Sequence, residues 1–388
     1  MPESSPPLPT PDGALPRATL CRHFTGYRPC MPYETCEGCE RFEPVGTSIL
    51  LVNLDAMGDV LMTTAALPAI RRRWPGSSVT WVTLPQCQPL LANNPLIWRV
   101  MPYTWETTNI LREMSFDVVI NVDKSQRSAA MAMSAEAPLK LGFRMNGHGA
   151  IEPFNPECDY HWRLGTDDEL KFRRNDQYGT RILAESLGLE WKRDEYVLEL
   201  TDEERSFVAR YRKEAGLDGR YVVGFNTGCS DLYPNKKMSV EQLAQLAAKI
   251  AGRTGGAAIL LLGGKAETER NAEITRRARA LGVDVVETPT TEGLRRGILY
   301  IAACDAVVTG DTSAMHIAIA LKKWTVAHFG LSCAVEIDLY ERGRKLVSGL
   351  ECSPCWRKTC KWETVRCIEE LDLDEIAAAV EAGAPLAG

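Results

Sequence analysis

At 388 residues the chain has room for two domains of roughly 150 residues each, and its 45% hydrophobic and 25% charged residues suit large buried cores. The 45 Lys and Arg against 51 Asp and Glu leave a net charge of −6, which excludes a protein built as a basic coat for nucleic acid. No run reaches the roughly 20 apolar residues of a membrane span.

The N-terminal stretch MPESSPPLPTPDGALPRATL holds six prolines and no apolar signal core, so residues 1–20 are expected to form a disordered leader, neither secretory signal nor transit helix. A reducing cytoplasm, with peripheral contact at the inner membrane allowed, is then the expected location, and the 13 cysteines are not a disulfide framework. A compact cysteine-rich piece follows within residues 21–45. Ser48 to Asn53 reads as a short, fully buried strand of the parallel-sheet kind. It runs into Leu54-Asp55-Ala56-Met57-Gly58-Asp59 and then a helical pattern, Leu61, Ala65, Leu67, Pro68 and Ile70, with the basic end Arg71 to Arg73.

Further strands are expected at Ser78 to Thr83 and Asp117 to Val122. Residues 145–172, with His148, His161, Trp162 and Arg163, lack periodicity; they are expected either to carry the acceptor side of a site or to be a structural excursion. Helical spacing returns at Gln177 to Leu187 and Asp202 to Ala215, closing the first half. Strands then restart at Tyr221 to Phe225, Ala257 to Leu262, Val283 to Glu287 and Ala306 to Thr309. This alternation predicts an α/β chain with two Rossmann-like, doubly wound parallel-sheet domains, over 46–200 and 218–375, facing a cleft.

Three strand-to-helix turns carry candidate chemistry, since ligands bind at the carboxyl ends of such strands. Gly58 permits close backbone approach, and Asp59 either acts on a ligand or caps its helix. Gly224 to Ser230, with Thr227, Gly228 and then Lys236-Lys237, suits a diphosphate through N–H donors and ammonium charge, or is a solvated turn. In Thr309-Gly310-Asp311-Thr312-Ser313-Ala314-Met315-His316, a polar cluster opens an apolar helix whose first N–H groups attract an anion; His316 reads as packing or as a capping residue rather than a catalyst.

In this order, ILLVNLDAMGDVLMTTAALPAI, GFNTG with NKKMS, and GDTSAMHIAIAL resemble the signatures of glycosyltransferase family 9, the lipopolysaccharide heptosyltransferase group, over roughly residues 48–375. The resemblance implies a GT-B fold and inverting transfer of a sugar, expected to be heptose, from a nucleotide-sugar donor, expected to be ADP-heptose, to a hydroxyl of a glycan or protein. It implies Asp59 as general base, Lys236 as counter-charge to the leaving diphosphate, Asp311 and Thr312 as the donor-binding turn, and a Thr227 hydroxyl holding phosphate. No catalytic divalent metal is implied. Ser313 stands where the family has glycine, and Met238-Ser239 where it has Trp-Pro. Glu267 or Glu269 is placed beside the nucleoside ribose or simply begins a solvated helix. An epimerase or hydrolase of the same fold, and a non-catalytic metal-dependent binding module, are the rival readings.

Two cysteine groups, Cys21-x8-Cys30-x5-Cys36-x2-Cys39 and Cys352-x2-Cys355-x4-Cys360-x6-Cys367, each contain a C-x2-C step. Each is expected to be a metal knot of zinc or iron, with an iron–sulfur cluster or pairing of the two groups left open. The finger over 352–367 resembles one in some family 9 members, including autotransporter heptosyltransferases, whose finger holds iron.

Overall fold

A computed structural model describes residues 17–24, 26–32 and 34–384. Two six-stranded sheets form two lobes. The first contains β1 (Ser48–Val52), β2 (Ser78–Thr83), β3 (Arg99–Pro102), β4 (Val118–Asn121), β5 (Leu139–Met145) and β6 (Ile151–Pro153), in the order β3-β2-β1-β4-β5-β6. Only the β5–β6 pairing is antiparallel. The second contains β7 (Val222–Asn226), β8 (Ala258–Leu262), β9 (Val285–Glu287), β10 (Ala306–Gly310), β11 (Trp324–Phe329) and β12 (Gly343–Val347), in the order β12-β11-β10-β7-β8-β9, parallel throughout. Both have the doubly wound order that reverses beside the first strand, where ligands settle in folds of this kind.

Burial explains the strand choice. Ile49 to Val52 and Ala258 to Leu261 are each fully covered, which requires helices on both faces of a sheet and hence apolar runs without alternation. The helix expected to run from Asp59 to Arg73 is divided into Met57–Thr63, a 3-10 turn Thr64–Ala66, and Leu67–Arg73. Pro68 in the first turn of the last piece is the cause: it has no N–H and cannot continue a helix begun upstream.

Helix Asp202–Glu214 leaves the first lobe and packs on the second. Its Glu204 pairs with Arg295 at 2.6 Å, and Phe207 meets Tyr300 edge-on at 6.2 Å. The second lobe also runs past residue 375, because helix Leu373–Glu381 lies on helix Val240–Arg253 with Lys249 paired to Asp374 at 2.8 Å. Between the lobes, the segment after helix Gly179–Ser186 ties both together. Arg72 binds Asp194 at 2.7 Å, Arg193 binds the buried Asp338 at 2.7 Å, and Arg342 binds Glu195 at 2.9 Å.

Residues 1–16 of the expected leader lie outside the described residues. Its last four, Arg17–Leu20, form a 3-10 turn, so the expectation of disorder does not hold for them. This end of the chain is fastened to the amino ends of β1 and β2. Val45 N–H donates to the Leu20 carbonyl at 3.0 Å, and Arg22 reaches Ser78 Oγ at 2.8 Å and the Ser77 carbonyl at 3.1 Å. Among the described residues, no helix is long and apolar enough to cross a membrane.

Candidate functional site

The first turn of helix Met57–Thr63, after β1, meets the first turn of helix Ser313–Ala320, after β10. Gly58 lies so near the His316 ring that a Cβ built on it would stand 2.6 Å from Cδ2, and this close approach is what requires glycine there. Asp59 caps its own helix weakly, accepting from Ala56 N–H at 3.4 Å, and is exposed on the same face. Both readings of Asp59 are therefore compatible: its carboxylate approaches the helix start while remaining open to a ligand.

His316 is buried, its ring stacked on Tyr196 at 5.9 Å and 13°, with Nδ1 3.3 Å from the Tyr196 hydroxyl and Nε2 3.9 Å from Asp311 Oδ1. Burial lowers the pKa of this imidazole, opposed by the charges of Asp311 and Asp59, while Lys236 adds to the lowering. The two carboxylates, from separate lobes, thus act on one ring. Lys236 closes the group: its Nζ donates to Asp311 Oδ2 at 2.8 Å and to the Asp311 carbonyl at 2.9 Å. Burial works to raise the Asp311 pKa, but Lys236, His316 and hydrogen bonds from Lys236 and Ser332 outweigh it and hold it below the usual carboxylate range.

The turn after β7 is built around Asn226, whose Nδ2 reaches the Gly228 carbonyl at 2.9 Å, Thr312 Oγ1 at 3.0 Å and Thr309 Oγ1 at 3.2 Å. One amide thereby joins the β7 turn to the β10 turn. Gly228 abuts the Glu267 carboxylate closely enough that a Cβ would overlap it, and Glu267 Oε2 accepts from Gly264 N–H at 2.8 Å. Glu267, rather than Glu269, is therefore the carboxylate at this turn. Thr227 differs from expectation. Its side chain is turned inward, 1% exposed, donating to the Leu262 carbonyl at 3.0 Å beside Asn271 Oδ1 at 2.5 Å. A hydroxyl committed to the sheet is not free for phosphate; Gly228 beside it is buried as well, Asn226 and Cys229 are half-buried, and Ser230 is the exposed residue of this turn. Thr312 and Ser313 are half-buried at the helix start, with Thr312 supplying no side-chain cap.

Of the two expectations for the stretch 145–172, His161 and Trp162 follow the structural one. The His161 ring packs edge-on against Phe143 at 5.1 Å and burial lowers its pKa strongly; Trp162 Nε1 donates to the Ile151 carbonyl at 2.8 Å. Both hold the fold, while His148 and Arg163 are exposed. The cations that reach the site from the first lobe are Lys124, after β4, and Lys171, in the π-helical turn Leu170–Arg174. Although solvent reaches Lys124, the surrounding protein lowers its pKa, with Lys171 adding to the effect and Asp59 and Glu336 opposing it. Glu336 is raised by burial against the pull of both lysines. No local pattern in the sequence marks Lys124, Lys171, Glu336 or Tyr196; each is brought in by the packing of the two lobes.

The thiols of Cys21, Cys30, Cys36 and Cys39 line one cavity of about 20 Å³, and those of Cys352, Cys355, Cys360 and Cys367 line another of about 300 Å³ beside Phe172. All eight are free thiols and half-buried. Mutual charge adds to burial in raising the pKa of Cys36, and does the same for Cys367, which reaches about 11. Each set is thus gathered, yet among the described residues no group of three or more His, Cys, Asp or Glu side chains stands in a geometry that could hold a metal ion.

Residues 105–366 match the family described as glycosyltransferase family 9 (heptosyltransferase). The chain is 23% identical over 299 residues to lipopolysaccharide heptosyltransferase 2 of Escherichia coli (strain K12), an alignment covering 73% of this chain and 83% of that protein. The fold is similar to that of a family 9 glycosyl transferase from Veillonella parvula DSM 2008, with a TM-score of 0.65, 19% identity, and coverage of 87% of this chain and 97% of that one. It is likewise similar to the ADP-heptose LPS heptosyltransferase II of E. coli, with a TM-score of 0.60, 21% identity, and coverage of 86% and 98%.

Proposed function

The chain belongs to glycosyltransferase family 9 and is a heptosyltransferase-like glycosyltransferase; from that premise we propose that it moves a heptose, with inversion, from ADP-heptose to a hydroxyl of a glycan or protein acceptor. The relative in E. coli is named for lipopolysaccharide and the similar structure for ADP-heptose, and both are the ground for this donor. The observation that carries the reading is the meeting of Asp59 from one lobe with Asp311 and Lys236 from the other at a single imidazole.

The chemistry follows from that arrangement. An acceptor hydroxyl is a poor nucleophile until a base removes its proton, and Asp59 is an exposed carboxylate at the first helix start of the acceptor lobe, residues 46–200. Negative charge grows on the departing nucleoside diphosphate. Lys236 and the first N–H groups of helix Ser313–Ala320, on the donor lobe of residues 218–375, supply the counter-charge without a divalent ion. Asp311 holds Lys236 in place and presents its own carboxylate to sugar hydroxyls. Gly228 leaves room for the Glu267 carboxylate to approach this turn, and Glu267 is the group proposed to read a ribose hydroxyl. The His316 ring, stacked on Tyr196, packs between the two helix starts beside Asp311. Transfer takes place in the cytoplasm, with the acceptor presented at the inner membrane surface.

The two cysteine sets are proposed as structural metal knots of zinc or iron. Four thiols around one cavity is the donor set such an ion takes. A cavity of about 20 Å³ at the N-terminal set has space for a single ion, comparable with one water molecule. Metal content of the purified chain is the direct measure.

Asp59→Asn tests the transfer reading. Loss of the base is expected to lower kcat by about 10²–10⁴-fold while ADP-heptose still raises Tm, because donor contacts lie on the other lobe. Undiminished transfer by the variant removes Asp59 from the mechanism. A panel of nucleotide sugars scored by thermal shift, in which another donor stabilises and ADP-heptose does not, overturns the donor. Release of free sugar without any acceptor overturns transfer itself.

A further inference from the structure

The finger of residues 352–367 reaches the site through one side chain. Trp356 lies between Cys355 and Cys360, in the left-handed region at φ +49°, with its N–H donating to the Leu331 carbonyl at 2.9 Å. Its ring meets Tyr233 edge-on at 5.4 Å and 78°. Into the corner formed by these two rings points the Lys236 ammonium, 5.1 Å from the Trp356 centroid and 5.6 Å from that of Tyr233. A second ammonium, Lys171 from the first lobe, lies 4.9 Å from the same Trp356 ring. The finger's backbone is tied to both lobes as well: Arg173 of the first donates to the carbonyls of Glu351 at 2.9 Å and Ser353 at 3.2 Å, and Asn235 of the second donates to the Lys358 carbonyl at 3.1 Å.

We propose that Trp356 is a positioning residue for the transfer. Its indole face, with Tyr233, holds the Lys236 ammonium against Asp311, and through Lys171 it fixes the first lobe to the same point. The physical reason is that a lysine has a flexible four-carbon stem and a compact charge that accepts many positions. A carboxylate on one side restrains it in one direction only. Two aromatic faces, each attracting the cation through the ring quadrupole, remove the remaining freedom, so that the charge stands ready where the diphosphate departs. Preorganised charge is what lowers the barrier; charge that must first be gathered helps less. The inference rests on the reading of Lys236 as counter-charge to the leaving group, and it is independent of which metal, if any, the finger binds.

Steady-state kinetics with ADP-heptose on the full chain test it. Trp356→Leu keeps apolar bulk but removes the ring face, and is expected to lower kcat about tenfold, the equivalent of roughly 1.4 kcal/mol in the barrier, with the donor KM changing less than about threefold. Trp356→Phe retains a ring face and is expected to recover most of the rate. In a Lys236→Ala background, Trp356→Leu is expected to cost nothing further, since the ring then has no ammonium to hold. If Trp356→Leu disturbs the finger, Tyr233→Leu removes the other wall while leaving the finger's own residues in place, and is expected to show the same kcat-weighted loss. A normal kcat in Trp356→Leu, or a loss in the Lys236→Ala background as large as in the native one, overturns the positioning role while leaving the lysine's own role standing. An undiminished rate in Lys236→Ala alone overturns both.

Discussion

Gly58→Ala is the sharpest probe of how the lobes meet. The added methyl would lie 2.6 Å from His316 Cδ2 and 2.9 Å from Nε2, where ordinary contact begins at 3.4 Å, so about 0.8 Å must be found by difference. The imidazole has little room to give way. It is 6% exposed and stacked on Tyr196, itself 5% exposed and set edge-on against Tyr340 at 6.2 Å. Displacement therefore passes to the two helices, carrying Asp59 away from Asp311 and Lys236. Overpacking of this kind costs about 1–3 kcal/mol, and misplacement approaching 1 Å costs up to about 10²-fold in rate. The expected result is a Tm lower by several degrees and a kcat reduced about 10- to 100-fold. Thermal denaturation and transfer kinetics measure both. His316→Ala supplies the control: once the ring is gone, adding Gly58→Ala should lower Tm no further. A Gly58→Ala protein with native Tm and native kcat would refute the argument, since it would mean that the two helix starts do not press together as described.

Two further outcomes follow from the same structure. Burial pushes the His328 imidazole down to about 4 against the pull of Asp311, so between the unfolded value near 6.5 and that folded value the unfolded chain binds a proton that the folded one refuses. Stability is then full above about pH 6.5 and falls with pH through this window, by about 2 kcal/mol at pH 5; denaturation at pH 7.5 and pH 5 should show a shallower fall in His328→Asn, and an unchanged slope refutes the assignment. At the N-terminal cysteine set, the native chain is expected to carry one metal ion there, and Cys36→Ser should lose about one equivalent by elemental analysis while the C-terminal set keeps its own. Equal metal content in the two proteins, or none in either, rules out an N-terminal knot.

Several strands were legible where both sheet faces are covered, because burial on two sides forces an apolar run; Ser78–Thr83 and the strands near Leu50 and Leu260 stand where the pattern puts them, whereas the equally covered Trp324–Phe329 was not singled out. Of the edge strands, β9 was legible within Val283 to Glu287, but β3 and β12 were not. The half-buried β3 and the alternating Gly343–Val347 carry mixed side chains that read as loop until a neighbour supplies their hydrogen bonds. The same contrast holds at the site. Asp59, Lys236 and Asp311 sit on turns that a parallel sheet always aims at its ligand, so local pattern sufficed to single them out. The inward turn of Thr227 depends on an acceptor carbonyl 35 residues away in the next strand, which spacing along the chain does not reveal.

Local sequence by itself determined the alternation of strands and helices, the two halves, the three ligand-facing turns and the two groups of thiols, because these follow from periodicity and from neighbours within one turn of chain. Only the tertiary structure decided which charges share one imidazole, that a glycine is required where Gly58 meets His316, and that a tryptophan from the cysteine finger lies against lysines of both lobes. Most of those are contacts between segments 75 or more residues apart, and their energies exist only once hydrophobic burial has brought the two sheets and their connecting segment together.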